Sequence, residues 1–367
     1  MSRATRRLAA LLAPAAIAVL APGGALAAPQ RAPAVFRGEA LWVREVPAGA
    51  SGRELVARAA AGGVRTLYVK AGDGARAEPG FTAALVAEMR AAGASVCAWT
   101  FAYGSEPAAE AAVAASAVNA GAQCLVIDAE GEYDGLYGPA QLFVADLRSQ
   151  VGAGFPIGLA SQAEVAQHPA FPYSVFLGPG GFNVVLPQIY WLDFGVSVER
   201  AYSATIGANS IYGRPILPVG QLYNSPQPTE LQRFRALAQA YASPGMSFFD
   251  LEVAQPQDLA ALASPPPVLA HRPLAAPTIH PGADGDEIIQ AQELLNAAGA
   301  HLPVGGFYGA ETAHAVAAFQ ARHHLPPTGL LAAATWKALL RFKPREPSWA
   351  GGPPASARLP ATGAPRP

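Results

Sequence analysis

The chain is poor in charge. Only 14% of its 367 residues are Asp, Glu, Lys or Arg, against about 25% in an average globular domain, and 51% are hydrophobic. That excludes a solvated, disordered chain as the main reading. The 25 basic and 26 acidic side chains leave a net charge of −1, so no basic footprint marks a nucleic-acid partner. Lysine is nearly missing: Lys70, Lys337 and Lys343 stand alone among arginines. The only cysteines are Cys97 and Cys124. Each opens a predicted buried strand, and the residues allow either a disulfide in an exported chain or two inert core thiols. What the chain has in excess is 37 glycines and 35 prolines, about a fifth of all residues against a background of roughly 12%. Without a Gly-X-Y period this excludes collagen and places the surplus in turns, linkers and tails.

Both ends read as something other than fold. Residues 1–27 have a positive start (Arg3, Arg6, Arg7), an apolar stretch from Leu8 to Leu20 and an A-x-A cleavage site at Ala25-Leu26-Ala27, the pattern of a secretory signal. Thr5-Arg6-Arg7-Leu8 hints at a twin-arginine variant. The stretch is short for a membrane span, no cysteine follows the cleavage site, and no stable membrane anchor is expected. Cleavage would remove three arginines and no acids, leaving 22 basic against 26 acidic side chains. Residues 343–367 are Pro-rich and predicted disordered. They contain Leu359-Pro360-Ala361-Thr362-Gly363, which has the form of a sortase signal but is followed only by Ala364 to Pro367.

Between residues 38 and 262, eight short apolar runs alternate with helical patterns. The runs are Ala40–Val43, Thr66–Lys70, Ser95–Tyr103, Cys124–Glu130, Pro156–Ser161, Asn183–Trp191, Pro215–Tyr223 and Met246–Val253. Near-continuous apolarity marks parallel strands covered on both faces. Ser51-Gly52-Arg53-Glu54 and Thr229-Glu230-Leu231-Gln232 are predicted capping boxes, and His168 to Gly181 is read as a long loop. Eight such units predict a (β/α)8 TIM barrel. The alternative, an open doubly wound sheet, needs a Gly-rich phosphate loop after the first strand, where Arg44-Glu45-Val46-Pro47 stands instead. Residues 263–282 carry six prolines and predict a stiff linker. Residues 283–342 then predict a small all-α domain of three helices, each with one apolar stripe.

That small domain carries a resemblance. Ile288-x-x-Ala291-Gln292-x-x-Leu295-x-x-x-Gly299, Val304-Gly305-Gly306-x-Tyr308-Gly309-x-x-Thr312-x-x-Ala315-Val316-x-x-Phe319-Gln320, Gly329 and Thr335-Trp336-x-x-Leu339 resemble the three-helix peptidoglycan-binding domain of cell-wall hydrolases. The family usually has Asp where Gly305 stands and often Leu at Ala291. The resemblance implies a peptidoglycan partner. His301, His314, His323 and His324 lack an Asp or Cys to complete a zinc set, so no metal and no cofactor are expected.

In a TIM barrel the reactive groups stand where strands end. Those ends offer Lys70, Trp99, Tyr103, Asp128-Ala129-Glu130, Gln188, Tyr190, Trp191, Gln221, Tyr223 and Asp250-Leu251-Glu252. Residues two apart on a strand share a face, so both Asp-x-Glu pairs are expected to project into one mouth. A carboxyl pair is what glycoside hydrolysis needs, one protonated and one ionised. Asp128, Glu130, Asp250 and Glu252 are therefore the catalytic candidates. Lys70, Trp99, Tyr103, Gln188, Tyr190, Trp191, Gln221 and Tyr223 are the glycan-binding candidates, since aromatic faces stack on sugar rings and amides bond hydroxyls. The Asp-x-Glu on the fourth strand, an acid on the eighth and the attached wall module look like the family 25 glycoside hydrolases, the lysozyme-type barrels. The resemblance implies Glu130 as the acid, Asp128 as its partner and Asp250 as the acid of strand eight. That family also has an acid after strand one, where this chain has Arg44 and Glu45. The fuller pattern, with His168-Pro169-Ala170-Phe171-Pro172-Tyr173 and Pro187-Gln188-Ile189-Tyr190-Trp191, looks closer to secreted actinobacterial barrels fused to the same domain. The expectation is an exported, wall-associated, monomeric glycosidase, with a non-catalytic glycan-binding barrel as the alternative.

Overall fold

The computed structural model describes residues 30–352 and Pro354; the predicted signal segment and the Leu359–Gly363 motif lie outside the described residues. Eight parallel strands close into a barrel in the order β1 (Gly38–Val43), β2 (Thr66–Asp73), β4 (Ser95–Ala102), β5 (Leu125–Ala129), β6 (Ile157–Gln162), β7 (Val184–Gln188), β8 (Val219–Gln221) and β9 (Gly245–Phe249). Closure is the β1–β9 pairing, with Gly38 opposite Gly245. The two-residue β3 (Arg76–Ala77) folds back antiparallel on β2. Outside lie α1 (Gly52–Ala61), α2 (Ala83–Ala91), α3 (Pro107–Asn119), α4 (Tyr137–Val151), α5 (Tyr173–Phe176), α6 (Val198–Asn209), α7 (Pro228–Ala240) and α8 (Pro256–Ala263). The short α5 occupies the segment read as loop. This is the (β/α)8 architecture the strand pattern predicts.

Strand alternation divides the core into two layers. Even positions along β1 and along β5 with the residue before it (Ala40, Trp42, Cys124, Val126) fill the barrel, while odd ones (Leu41, Val43, Leu125, Ile127) pack under the helices. Trp42, 1% exposed, donates its indole N–H to Ser247 Oγ at 2.9 Å, which keeps a buried donor from costing about 1–3 kcal/mol. Cys97 and Cys124 form a disulfide inside the barrel, which resolves the two readings of that pair. The capping box of α1 is complete, with Ser51 N–H donating to Glu54 at 2.8 Å and Glu54 N–H to Ser51 Oγ at 3.3 Å. At α7 the box is displaced: Pro228 opens the helix and Glu230 receives the Gln227 N–H, so Thr229 lies inside it.

The small domain consists of α9 (Asp286–Ala297), α10 (Ala310–Arg322) and α11 (Ala333–Leu339). Two buried glutamines knit its loops. Gln292 receives Gly305 and Gly306 N–H, and Gln320 receives Gly329 N–H. The 263–282 stretch is extended yet lies on the barrel, with Arg272 N–H donating to Ala240 O at 2.7 Å. The domain itself is docked. Asp286, fully buried, receives Tyr137 Oη, Ser174 Oγ, Ser174 N–H and Tyr212 Oη, at 2.8, 2.6, 2.9 and 2.8 Å. The tail also departs from its disordered expectation at its start. Trp349 is 5% exposed and packs on Tyr137 at 4.9 Å between ring centres; a large apolar ring finds a surface that its proline neighbours do not need.

Candidate active site at the barrel mouth

Val126 and Asp128 point inward on β5, and the extended backbone at Glu130 continues the alternation past the strand's end. Gln188, inward on β7, donates its one amide nitrogen to Asp128 Oδ1 and to Glu130 Oε1, at 2.9 Å each. Those two oxygens thus lie within about 5.8 Å, twice the bond length. Asp128 is 7% exposed and forms the base of the pair; Glu130 is half-buried above it. Burial, and next the charge of Glu130, holds the Asp128 carboxyl well above the usual range. Burial, and then the charge of Glu132, also raises Glu130, against the pull of Gln188 and His168. The pair therefore titrates jointly and keeps a proton to higher pH than two isolated carboxyls.

Two candidates, Lys70 and Tyr103, line the opposite side of this pair from Gln188. Lys70 Nζ binds Asp73 at 2.7 Å and Glu78 at 3.6 Å and sits 5.3 Å from the centre of Trp99. Tyr103, 39% exposed, donates to Asp73 at 2.8 Å. Trp99 is floor rather than wall: it is 4% exposed and donates to Val43 O at 3.0 Å. Trp42 and Phe249 complete that floor, with Trp42 ring centres 5.5 Å from Trp99 and 5.9 Å from Phe249. Tyr190 is half-buried, 5.4 Å from Tyr223, and burial followed by the nearby Asp128 charge raises its hydroxyl well above the phenol range. Among the described residues that hydroxyl donates to no protein acceptor.

Several candidates fall elsewhere. Trp191 is fully buried outside the sheet against Phe234, 5.6 Å between ring centres, because one residue after inward Tyr190 the chain faces out. Gln221 is inward but committed, receiving Leu192 N–H at 3.0 Å and donating to Tyr223 O at 3.4 Å. Tyr223 itself is held by Asp193. Asp250 and Glu252 do not repeat the β5 pair. The strand ends at Phe249, whose inward partner is Ser247, so Asp250 falls out of phase. It pairs with Arg44 at 3.1 Å and receives Val253 N–H, while Glu252 receives Glu45 N–H. Burial, first among its causes, pushes Glu252 up to about 7. In the closed order β9 stands four strands from β5 either way, so this second group occupies the far wall.

Sequence reasoning missed Gln162 and Glu110. Gln162 donates to Glu130 Oε2 at 3.2 Å; it continues the inward phase of Gly158 and Ala160, but the apolar run stops at Ser161. Glu110, 2% exposed on α3, receives the N–H groups of Tyr103, Gly104 and Glu106 and shapes the loop that carries Tyr103. Among the described residues no group of three or more potential ligands could hold a metal, and no helix is long and apolar enough to cross a membrane.

No curated protein matches the chain. Among solved structures, a peptidoglycan-binding protein from Clostridioides difficile is 32% identical over 18% of this chain and 41% of its own length, with a TM-score of 0.18; the likeness thus spans less than half of that protein. The Bacillus cereus spore cortex-lytic enzyme SleL is 11% identical over 62% of this chain and 73% of its own, with a TM-score of 0.48. A chitinase from Chromobacterium violaceum is 11% identical over 62% and 98%, with the same score. Identities this low say nothing about chemistry. Residues 284–339 match the family described as "Putative peptidoglycan binding domain", the same stretch whose motifs carry that resemblance.

Proposed function

We propose that the barrel is an exported, wall-associated glycosidase that cleaves peptidoglycan glycan strands, with Glu130 as the proton donor. The observation that carries this is the single Gln188 amide shared by Asp128 and Glu130. It places one half-exposed acid over one buried acid, and both carboxyls are raised. Glu130 delivers its proton to the glycosidic oxygen as the bond to the anomeric carbon breaks, the electron pair leaving with that oxygen. A water then adds to the anomeric carbon and returns a proton to Glu130. Asp128 is too deep to touch the sugar, so its role is electrostatic, keeping a proton on the pair near neutral pH. Tyr190 and Tyr103 offer hydroxyls and ring faces to the glycan. The muramidase-type bond is the one assigned, on the Asp-x-Glu likeness to lysozyme-type barrels, for a monomer without a membrane anchor.

The test is release of reducing ends from purified peptidoglycan, wild type against Glu130→Gln, from pH 4 to 8. Loss of about 100-fold or more on substitution is expected for removal of a general acid, and borohydride labelling of the new ends identifies the bond. The second reading, a glycan-binding barrel without turnover, is favoured by one observation: Arg44 stands where the lysozyme-type barrels carry an acid, and it neutralises Asp250. Intact wall binding with no new ends at any pH would select it.

A further inference from the structure

We propose that the cleft between the base of the barrel and the small domain is a second binding site, for a polyanion whose charges are phosphate diesters. Two adjoining cavities of about 540 and 510 Å³ share Gln30, Gly213, Arg214 and Leu340. Their barrel walls are the segments that lead into strands, Leu177–Gly180 before β7, Gly213–Ile216 before β8 and Ser243–Pro244 before β9. They therefore open at the end opposite Asp128 and Glu130. Docking makes this cleft, because Leu294, Lys337 and Leu340 of the small domain supply its other wall.

Its charge is one-sided. Arg31, Arg37, Arg214, Lys337, Arg341 and Lys343 line it, and no Asp or Glu does. A chain with one negative charge net, and only three lysines, has placed two of them here. Among the described residues none of the six cations forms an ion pair. Arg214 is the fixed element: its guanidinium donates to Leu177 O at 2.6 Å, Gly178 O at 2.5 Å and Gln30, leaving two of its N–H donors uncommitted. Burial, and then the charge of Arg148, pushes it down to about 10, as fits a cation still waiting for its counter-charge.

The composition selects the ligand. A neutral glycan gains nothing from six cations. A peptide with ammonium groups beside its carboxylates would set cation against cation, with no carboxylate in the cleft to receive it. A chain of unbroken negative charge satisfies every group, and phosphate oxygens match the arginine fork in pairs. The site would hold the protein on a phosphate-bearing wall polymer while the opposite end of the barrel stays open to glycan.

The test is fluorescence anisotropy of labelled inorganic polyphosphate with the full chain, over a range of salt. Wild type is expected to bind, with affinity falling linearly in log[salt] as counterions are released. Lys337→Glu with Arg341→Glu, both exposed, should weaken binding at least tenfold and flatten the salt slope. Arg53→Glu with Arg90→Glu, exposed on α1 and α2, change net charge equally and should leave it within twofold. Lys343→Glu alone gives the same direction should the double variant melt early. No binding by wild type, equal loss in the control pair, or poly-glutamate binding as tightly as polyphosphate would each overturn the assignment. None of these readouts depends on glycan hydrolysis.

Discussion

Asp286 is the residue whose removal should separate the two domains. Its two oxygens receive four donors, all from the barrel: Tyr137, Tyr212 and both groups of Ser174. Asp286→Ala leaves all four inside an apolar interface with no acceptor. Each orphaned buried donor costs about 1–3 kcal/mol. A water filling the vacated space would serve two or more of them, which favours the lower figure and gives about 4 kcal/mol in all. For a cooperative unit of this size each kcal/mol lowers the melting midpoint by about 2–4 °C, so a fall of roughly 8–15 °C is expected. Asp286→Asn should cost less, because its carbonyl oxygen still accepts two donors and hydroxyl oxygens can accept from its amide, leaving the Ser174 N–H as the group without a partner. Calorimetry measures the midpoint, and limited proteolysis of residues 264–282 reports undocking, since that mostly exposed stretch is pinned by the Arg272–Ala240 and Ile279–Leu331 backbone hydrogen bonds while the domain is seated. A midpoint within 2 °C of wild type, with no new cleavage there, would refute the hub.

Acidity should tighten the same interface. Burial raises Asp286 to about 6 and Glu287 and Glu346 to about 7, and Glu293 well above its usual range. Raised carboxyls bind more protons folded than unfolded, so stability falls as pH rises from about 4 through 7; a melting midpoint that climbs through that window would contradict this. Replacing Cys97 and Cys124 together with alanine opens a loop of 27 residues' separation, for which chain entropy gives about 3–4 kcal/mol; chemical denaturation measures it, and a loss below 1 kcal/mol would mean the barrel wall alone restrains those strands. Gln188→Leu removes the donor that lowers both Asp128 and Glu130. It should cut turnover about tenfold and move the basic limb of the pH–rate profile upward, whereas an unmoved limb would show that the shared amide does not set the acid.

The barrel was legible because parallel strands write their burial into continuous apolar runs, and Asp128, Glu130, Gln188 and Tyr190 because inward residues recur every second position. The same rule read strictly excludes Trp191 beside Tyr190. What failed was the estimate of where strands stop. Met246–Val253 looks like one apolar run, yet the strand ends at Phe249 and Asp250 and Glu252 turn to Arg44 and Glu45 at the rim. Gln162 was lost by the reverse error, its strand running one residue further than its apolar pattern. Asp286 was out of reach for a different reason. Its partners lie 74 to 149 residues away, and no local pattern marks an acid for burial. Trp349 had a signal, a lone large aromatic in a proline tail, which composition averages away.

The docking also alters how a wall-binding module can serve the barrel. A flexible tether raises the local concentration of substrate over a volume set by linker length. Here the prolines of 263–282 do not define such a volume, because Arg272 and Ile279 hold the stretch on the two domains and Asp286 fixes α9 against α5. The module and the mouth keep one relative position. Under the proposed function, a glycan bound by the module would reach Glu130 only if its own length and stiffness span that fixed distance, so the fold would select strands by reach and direction instead of by proximity. The stiff peptide predicted as a spacer works as a strap, and spacing is set by the buried acid beneath it.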